Sequence, residues 1–308
     1  MLTAFKSTVN IACTDFCVVA MPSDSLNTQD KHVIHDIHDS NDTHGSHGSR
    51  DKDPQFAYTL ARGLQVLRAF EGTRADLGNR EIGEIIGIPR STAARLTRTL
   101  SLLGYLQYDQ PTQRYRLTAA MLTLAYPVLA QLPVRQVARP HMQELANHVK
   151  GSVSLAMRQG LTMVLIESCV DPKAVTRPDI GAVRELATTA LGLAYLAGLS
   201  TDIRNELLAQ LSRAADLSQS KGKPDTSSAL IMTAEFDRYA NEGFCMAHSE
   251  PAGTVAVGVP LRLRAAGTLS LNCVIAKHLT TAKLIQNDVG PRLAKLARDL
   301  ELLMGNPA

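Results

Sequence analysis

The sequence predicts an α+β protein in which a small helical domain with a two-stranded hairpin precedes a larger domain with an antiparallel sheet. Two observations place the first domain: short helical segments meet at a glycine within residues 77–117, and a strand pair follows them. A third observation, strand pairs bounded by helices from about residue 133 onward, predicts the second domain. The chain has 308 residues and no run of about 18 apolar ones, so no membrane partner is expected.

Composition indicates the cellular setting. The five cysteines are odd in number and widely separated. This spacing is neither a disulfide framework nor a zinc-ligand pattern, and it suits a reducing cytoplasm. The formal net charge of +3 selects no partner by itself. We expect a cytoplasmic protein without a resident metal or cofactor.

Residues 1–53 are predicted to form a disordered polar tail. Asn10, Thr14 and Asp15 interrupt the few apolar residues near the start, so a secretory signal is not expected. From residue 22 onward the segment is rich in Asp, Ser and His and cannot bury enough apolar surface to fold alone. A tail of no defined function is a simpler interpretation than a loose metal site for its histidines, which are His32, His35, His38, His44 and His47.

The first domain is predicted over residues 54–117 and begins with a helix at residues 57–70. Thr59, or a residue slightly before it, is the expected N-cap. Apolar side chains recur at helical spacing: Leu60, Leu64, Leu67 and Phe70 are predicted near one side of the helix, with Ala61 and Val66 flanking that side.

Two further helices are predicted to meet at Gly87. The first covers residues 81–86 with Asn79 as its cap, and the second covers residues 89–103 with Gly104 as its stop. On a helical wheel of about 100° per residue the second helix has two faces. The face predicted to be buried carries Ala93, Leu96, Leu100 and Leu103. The opposite face carries Ser91, Ala94, Arg95 and Arg98.

A two-stranded hairpin is predicted next, with strands over residues 105–109 and 114–117 and turn residues between them. A hairpin in this position is the wing of a winged helix-turn-helix. Between residues 56 and 120 nine arginines stand against five acidic residues, which gives a net charge of +4 without a lysine. The planar guanidinium suits bidentate contacts to guanine and to phosphate.

An isolated Arg-x-x-Arg indicates no more than a solvated helix face, but here it lies on the second helix of a helix-turn-helix beside a basic hairpin. This combination favours binding to double-stranded DNA. Arg95 and Arg98, with Ser91, are expected in the major groove, whereas Thr92 lies nearer the buried edge. The predicted DNA-contacting residues are Arg90, Ser91, Thr92, Arg95, Arg98, Arg114 and Arg116.

Residues 118–133 are predicted to form a linker helix, strongly apolar and interrupted by Pro127 and Pro133. Its apolar surface is too large for a solvated linker, so we expect it to pack against a second copy of the chain in a homodimer or tetramer. A two-fold dimer docks on half-sites about one DNA turn apart, or a multiple of it, and therefore requires a pseudo-palindromic operator.

Residues 134–308 alternate helical and strand patterns, which predicts an α+β domain. Helices are expected over residues 134–149, 187–199, 201–211, 234–242 and 280–303, with a polar connection over residues 212–228. Strands are expected over residues 152–158, 163–169, 244–248, 254–261 and 268–275.

Several sequence blocks, in this order, resemble the IclR family of bacterial transcription regulators over residues 56–303. They are LARGLQVLRAF, GIPRSTAARLTRTLSLLGY, QRYRL, TTALGLAYLAGL and the late run GF, SE, AVGVPL and GTLSLN. The late run is most similar to the branch that controls aromatic-acid catabolism. The resemblance implies a winged helix-turn-helix, a linker helix and a GAF-like effector-binding and oligomerisation domain, with RNA polymerase as a further candidate partner.

The resemblance also implies a small-molecule pocket between the Thr-Ala-Leu-Gly turn and the last strands. Backbone N–H groups at a helix start favour a carboxylate, so the implied effector is a small organic acid, with aromatic acids among the candidates. Family members that bind small keto acids differ at Ala247 or His248, at Ala256 and at Leu193, which leaves the ligand open. The implied effector-binding residues are Thr189, Ala190, Leu191, Gly192, Cys245, Met246, Ala256, Ser270 and Asn272.

Two other functions remain as alternatives. Cys245, His248 and Glu250 could form a nucleophilic set, but strand alternation puts the thiol and the imidazole on opposite faces. No phosphate-binding glycine loop or serine elbow occurs in the sequence, so we expect no enzymatic activity. A regulator that responds to redox state through Cys169, Cys245 or Cys273 is the second alternative.

Overall fold

The computed structural model describes residues 55–72, 75–218, 226–249 and 253–305. The tail predicted over residues 1–53 and its histidines lie outside these ranges, as do Cys13, Cys17 and Glu250. The described chain has an N-terminal helix-turn-helix unit with a hairpin and a C-terminal α+β unit with an antiparallel sheet, which confirms the predicted fold class. None of the described helices is long and apolar enough to cross a bilayer.

Helices α1 (Tyr58–Arg68), α2 (Asn79–Ile86) and α3 (Arg90–Leu102) form the helical part of the N-terminal unit. Gly87 adopts a φ of 66° between α2 and α3, a left-handed conformation that glycine tolerates and that makes the sharp turn. The buried core of this unit consists of Val66, Ala69, Phe70, Leu77, Ile82, Ile86, Ala93, Leu100, Leu106 and Tyr115.

The buried face of α1 differs from the predicted one. Phe70 is buried on the predicted side and Val66 is buried beside it, whereas Leu60 and Leu64 are 65% and 54% exposed. The helix carries two apolar stripes, and residue spacing alone does not tell which of them meets α2 and α3. Of the two predicted cap positions the earlier one is found: the N-cap is Ala57, slightly before Thr59, and it has no side-chain cap bond.

Two details of α2 and α3 also differ from the prediction. Asn79 is the first residue of α2, and the cap is Gly78, whose backbone N–H donates to Glu81 Oε2 at 2.7 Å. The carboxylate of Glu81 thus makes the reciprocal bond of a capping box. Leu103 is 63% exposed instead of buried, because α3 ends at Leu102 and the helical periodicity stops there.

The hairpin consists of β1 (Leu106–Asp109) and β2 (Arg114–Leu117), which pair antiparallel as predicted. Tyr115 and Leu77 exchange backbone N–H to carbonyl bonds of 2.8 and 3.0 Å. The hairpin is therefore joined by backbone bonds to the segment that precedes α2.

The linker region contains α4 (Ala120–Ala130), with Pro127 in its interior, and α5 (Val134–Val149) begins directly after Pro133. No side chain of α4 is buried among the described residues. The exposed large apolar side chains of this helix are Leu122, Leu124, Tyr126 and Val128. A single copy of the chain therefore leaves the apolar surface of α4 open to solvent.

A six-stranded antiparallel sheet organises the C-terminal unit, in the order β5-β4-β3-β8-β7-β6. Its strands are β3 (Ser152–Gln159), β4 (Thr162–Val170), β5 (Val183–Glu185), β6 (Cys245–Ser249), β7 (Thr254–Leu263) and β8 (Gly267–Ala276). The helices that pack on one face are α6 (Ala190–Gly198), α7 (Thr201–Ser218) and α8 (Thr226–Glu242). The other face packs on α5 and on the C-terminal helix, which runs as α9 (Ala282–Leu284), a π-helical turn (Ile285–Val289) and α10 (Gly290–Leu303).

Three elements of the C-terminal unit differ from the prediction. The three residues of β5 are all exposed, so they show no alternating pattern, and the strand is absent from the prediction. Helices α7 and α8 extend into residues 212–218 and 226–228, where a polar connection was expected. Polar segments lack the apolar periodicity on which the prediction depends.

Candidate functional site

The polar face of α3 is an exposed basic surface. Arg90, Ser91, Arg95 and Arg98 are exposed, and Thr92 is half-buried, on the edge between this face and the core. Within the described residues none of the three arginines forms an ion pair. Their guanidiniums are therefore free to meet an anionic partner, which is the arrangement that a DNA-reading helix requires.

The orientation of α3 is fixed by close contacts with α2. Thr97 is fully buried, and its Oγ1 lies 2.8 Å from Asn79 Oδ1. A Cβ on Gly83 would lie 2.7 Å from the carbonyl oxygen of Ile88. The backbone of α2 therefore packs directly against the backbone of the turn, with no room for a side chain between them. The basic face is thus presented by a rigid pair of helices.

The two wing arginines are held differently from those of α3. Arg114 lies 2.8 Å from Glu81 Oε1 on α2 and also donates to the carbonyl oxygen of Asp76, and Arg116 lies 2.7 Å from Asp76 Oδ2. These contacts link the wing to α2 and to the segment before it. The structure therefore gives Arg114 a positioning role that the sequence analysis did not predict, while the DNA contacts of both residues stay predictions.

Replacement of Glu81 by glutamine is expected to destabilise the N-terminal unit and to reduce its sensitivity to acid. Bonds from the Gly78 N–H and from Arg114 lower the pKa of Glu81 below its ordinary value of 4.5. A carboxyl group with a lowered pKa in the folded state stabilises the fold above its unfolded-state pKa, and this stabilisation is lost as the pH falls through the folded-state pKa. Thermal unfolding of both proteins from pH 7 to pH 3 measures the effect.

The matched control for this prediction is Glu84→Gln. Glu84 forms an exposed ion pair with Arg80 on the same helix and takes no part in the cap. Exposed pairs of this kind contribute about 0–1 kcal/mol. Equal unfolding temperatures for Glu81→Gln and wild type at pH 7 would contradict the role assigned to Glu81.

A cavity of about 570 Å³ lies between the sheet and the N-terminus of α6. Its volume falls in the range that suits a small organic ligand, about 300–1,000 Å³. Acidic side chains are absent from the described residues that line it. The lining residues are Ser154, Leu165, Thr176, Arg177, Pro178, Arg184, Thr188, Thr189, Ala190, Leu191, Ala247, His248, Thr254, Ala256, Asn272 and Val274.

One end of the cavity is electropositive. Thr189 caps α6 by accepting from the Gly192 N–H at 3.3 Å, and the cavity-lining residues Ala190 and Leu191 form the first turn of this helix. Their N–H groups precede the first intrahelical bonds and lie at the positive end of the helix dipole. Arg177 and Arg184 also line the cavity; their guanidiniums donate to the carbonyl oxygens of Pro172 and Val183, and neither forms an ion pair within the described residues.

The sheet side of the cavity contains a buried acceptor. Asn272 is 7% exposed, and its Oδ1 has no hydrogen-bond partner within the described residues. A buried polar atom without a partner costs about 1–3 kcal/mol. Native cores rarely retain such an atom, and its position in a cavity indicates a ligand group that donates a hydrogen bond.

The cavity contains part of the set of effector-binding residues implied by the resemblance. Thr189, Ala190, Leu191, Ala256 and Asn272 line it. The other four, Gly192, Cys245, Met246 and Ser270, do not.

Each of these four residues lies outside the cavity for a packing reason. A Cβ on Gly192 would lie 2.0 Å from the Leu186 carbonyl oxygen, so this glycine lets α6 approach the preceding segment. Cys245 is buried between α6 and α8, and Met246 packs on the opposite sheet face. Ser270 donates its hydroxyl to the Leu191 carbonyl oxygen at 2.6 Å.

The sequence analysis missed the two arginines of the cavity. Arg177 and Arg184 lie between β4 and α6, in a segment without apolar periodicity, so no local pattern marks them. The polar wall of the cavity is weakly indicated by the sequence, because Ser154 interrupts an apolar strand. In the structure Ser154 pairs in register with Asn272. Two polar residues at buried positions of neighbouring strands indicate a cavity with a polar wall.

The described cysteines are poor candidates for a reactive thiol. Cys169, Cys245 and Cys273 are buried and unpaired, and burial raises the pKa of each, to about 12 for Cys245 and Cys273. The thiolate is the reactive form, so buried thiols of this kind are inert. Neither the nucleophilic set nor the redox alternative gains support from the structure.

Within the described ranges no cluster of three or more His, Cys, Asp or Glu residues could hold a metal ion.

Comparison with protein families matches both units of the chain. The model described as "IclR helix-turn-helix domain" matches residues 59–110. The model described as "Bacterial transcriptional regulator IclR C-terminal" matches residues 126–300, which is more than half of the chain.

Individual proteins give the same picture. HTH-type transcriptional regulator TsaQ1/TsaQ2 of Comamonas testosteroni is 36% identical over 154 residues, which are 49% of this chain and 55% of that protein. This chain therefore spans just over half the length of that relative. An IclR family transcriptional regulator from Brucella abortus has a solved structure that is 32% identical, with a TM-score of 0.69, and the match covers 84% of this chain and 96% of the other.

A third similarity concerns a structure that contains a ligand. An IclR homolog from Microbacterium hydrocarbonoxydans, solved as a complex with 4-hydroxybenzoate, is 22% identical with a TM-score of 0.61. The match covers 79% of this chain and 98% of that one. At this identity the likeness shows a shared fold.

Proposed function

Because this chain belongs to the IclR family of bacterial transcription regulators, we propose that it binds operator DNA through α3 and that an organic acid in the cavity switches this binding. The observation that carries the proposal is the pairing of two sites in one chain. One is an exposed helix face with three arginines that form no ion pair within the described residues, and the other is a cavity with an electropositive end. Because the proposed target is DNA, we also propose that the protein acts in the cytoplasm.

The DNA-binding half of the proposal assigns residues 54–117 to operator recognition. Arg95 and Arg98 extend from the middle of α3 and reach base edges in the major groove, while Arg90 at its start contacts a phosphate. Arg116 exchanges its exposed ion pair with Asp76 for a phosphate, because exposed pairs are weak. Arg114 keeps the wing in place.

The linker, assigned to residues 118–133, supports a dimer. Exposed apolar side chains occur at Leu60 and Leu64 on α1 and, on α4, at Leu122, Leu124, Tyr126 and Val128. An exposed apolar surface such as that of α4 marks a protein interface. Two copies joined here, as a dimer or as pairs of dimers, would present two copies of α3 to the half-sites of a pseudo-palindromic operator.

A charge placed on the linker is expected to dissociate the dimer. Leu124→Glu introduces a carboxylate into the proposed interface, where its desolvation weakens self-association by more than about tenfold. Leu303→Glu, at an exposed apolar position on α10, is the matched control. Sedimentation velocity over a range of concentrations measures both. An unchanged dissociation constant for Leu124→Glu would place the interface elsewhere.

The effector half of the proposal assigns residues 134–308 to ligand binding and oligomerisation. A carboxylate of the ligand binds at the α6 N-terminus, between Arg177 and Arg184. A hydroxyl or amino group of the ligand donates to Asn272 Oδ1 on the opposite wall. Apolar lining residues such as Leu165 and Val274 enclose the body of the ligand. These features favour a single-ring aromatic acid that carries a hydrogen-bond donor, the class to which 4-hydroxybenzoate in the Microbacterium protein belongs.

Thermal unfolding with a panel of acids tests the effector half. The panel pairs each hydroxylated aromatic acid with the acid that lacks the hydroxyl and with the corresponding neutral amide. An acid present at 100 times its Kd adds about 2.7 kcal/mol to the free energy of unfolding. We expect the hydroxylated acids to raise the unfolding temperature most and the amides least. No shift with any acid at millimolar concentration would contradict the effector proposal.

Selection from random double-stranded DNA tests the DNA half independently. Wild-type protein is expected to enrich a pseudo-palindrome with half-sites about one helical turn, or a multiple of it, apart. Enrichment without any shared sequence would contradict operator recognition by α3.

A further inference from the structure

Strand β4 contains a bulge beside the cavity. In its pairing with β3, Glu167 lies opposite Leu155 and Leu165 lies opposite Ala156, so Ile166 is an extra residue without a partner in this ladder. Such a bulge bends the strand and redirects the backbone groups of the extra residue. The neighbouring Leu165 lines the cavity.

The bulge is tied to the cavity segment that carries the two arginines. The Leu165 N–H donates to the Ala182 carbonyl oxygen at 2.9 Å, and its carbonyl oxygen accepts from the Gly181 N–H at 2.7 Å. Arg184 follows two residues later on β5 and pairs with Met163. A ligand held by Arg184 therefore acts on the backbone of Leu165 through the neighbouring residues Ala182 and Gly181.

Arg135 binds the other side of the same bulge. Its Nε donates to the carbonyl oxygen of Ile166 at 2.7 Å, and a second nitrogen lies 3.1 Å from Glu167 Oε2. The third nitrogen donates at 3.4 Å to the carbonyl oxygen of Leu129, in the last turn of the linker helix α4. The same carbonyl oxygen also accepts from the Leu132 N–H at 3.3 Å, so Arg135 is the second donor at this end of α4.

The three contacts of Arg135 differ in strength. The side chain is 19% exposed, and two short bonds hold it to β4, one of them to a buried carboxylate. The contact with α4 is the longest and lies beyond the usual range of about 2.7–3.2 Å. Because the guanidinium is planar and rigid, a small movement of the bulge makes or breaks the α4 contact first.

We propose that Arg135 couples the cavity to the linker helix: a ligand moves the β4 bulge through Leu165, and Arg135 transmits the movement to the end of α4. The inference rests on the proposed function, since it takes the cavity as the effector site. It adds the route by which the effector domain changes the placement of the DNA-binding units. Differential contacts in two states are what such coupling requires.

Arg139 provides a matched control. Its guanidinium lies 2.6 Å from the other oxygen of Glu167, but the side chain is largely exposed. Among the described residues, its guanidinium bonds neither the carbonyl of Ile166 nor α4. Arg139→Ala therefore removes an arginine from the same buried carboxylate without touching the connection to the linker.

The experiment measures coupling with full-length wild type, Arg135→Lys, Arg135→Ala and Arg139→Ala. The probes are the acid that most raises the unfolding temperature of wild type and the selected DNA. For each protein, calorimetry gives the Kd of the acid, and anisotropy at fixed salt gives the Kd of the DNA with and without saturating acid. Arg135→Lys keeps the positive charge and one donor nitrogen. This variant therefore still tests the coupling if Arg135→Ala does not fold.

For wild type we expect the acid to change the DNA Kd by about 5- to 150-fold. For Arg135→Lys the Kd of the acid should stay within about twofold of the wild-type value. Saturating acid should then change the DNA Kd of this variant by less than about twofold. Arg139→Ala should retain the wild-type effect. Full coupling in both Arg135 variants would overturn the inference and leave the proposed function intact. Equal loss in Arg139→Ala would assign the effect to Glu167 instead of Arg135. No acid binding to wild type would contradict both proposals.

Discussion

Replacement of Arg95 by alanine is expected to weaken binding to the selected operator by about 1–3 kcal/mol per half-site, or roughly 5- to 150-fold. Arg95 is exposed in the middle of α3 and forms no ion pair within the described residues. Its removal therefore takes away a base contact without disturbing the fold. Discrimination between the operator and a variant at the contacted base pair should fall with the affinity.

The control for Arg95→Ala is Arg298→Ala, an exposed arginine on α10 in the other unit. Both variants lose one positive charge, so a difference between them is not an effect of net charge. Anisotropy titrations with operator and mismatched DNA at one salt concentration give both affinity and discrimination. Wild-type discrimination in Arg95→Ala would refute the assignment of the α3 face.

The second large effect concerns Asn272, where we expect stability and ligand affinity to change in opposite directions. Asn272→Leu removes a buried acceptor that has no partner in the described structure and replaces it with an apolar side chain of similar size. Such a replacement is nearly neutral or stabilising, by up to about 1–3 kcal/mol. The same change removes the group that binds the donor of the ligand, so the Kd of the acid should rise about 5- to 150-fold.

Ser101→Ala is the matched control for Asn272→Leu. Ser101 Oγ is also a buried oxygen without a partner among the described residues, but it lies in α3, outside the cavity. Its removal is expected to stabilise the protein and to leave the Kd of the acid unchanged. Thermal unfolding and calorimetry measure the two quantities. Unchanged acid affinity in Asn272→Leu would show that Asn272 does not bind the ligand.

The sequence predicted the elements of the DNA-binding unit because local rules govern them. Gly87 marks the turn by its left-handed conformation, and the hairpin follows from a short turn between two strand patterns. The wrong face of α1 shows where these rules fail. Leu60, Leu64 and Val66 are all apolar, and the choice between them depends on neighbouring helices that periodicity does not describe.

The contacts that define both sites join residues far apart in the sequence. Arg114 meets Glu81 across 33 positions, and Ser270 meets Leu191 across 79. A pattern in one segment carries no information on such pairs. For this reason the sequence does not indicate the ion pairs of the wing arginines, and the family resemblance implies a cavity position for Ser270, whose hydroxyl bonds Leu191 instead.

The cavity was located through the Thr-Ala-Leu-Gly turn, which begins α6, but its charge was not. Arg177 lies in an irregular segment and Arg184 on the short exposed strand β5, and the fold brings both to the cavity. The chemistry of the site therefore depends on tertiary structure, whereas its position depends on a local motif.

The most direct test of the central claim is the Kd of wild-type protein for its selected operator, measured at one fixed salt concentration with and without the acid that most stabilises the protein. Fixed salt is needed because phosphate contacts make the affinity steeply dependent on ionic strength. We expect saturating acid to change this Kd by about 5- to 150-fold, in either direction. The same Kd with and without bound acid would contradict it.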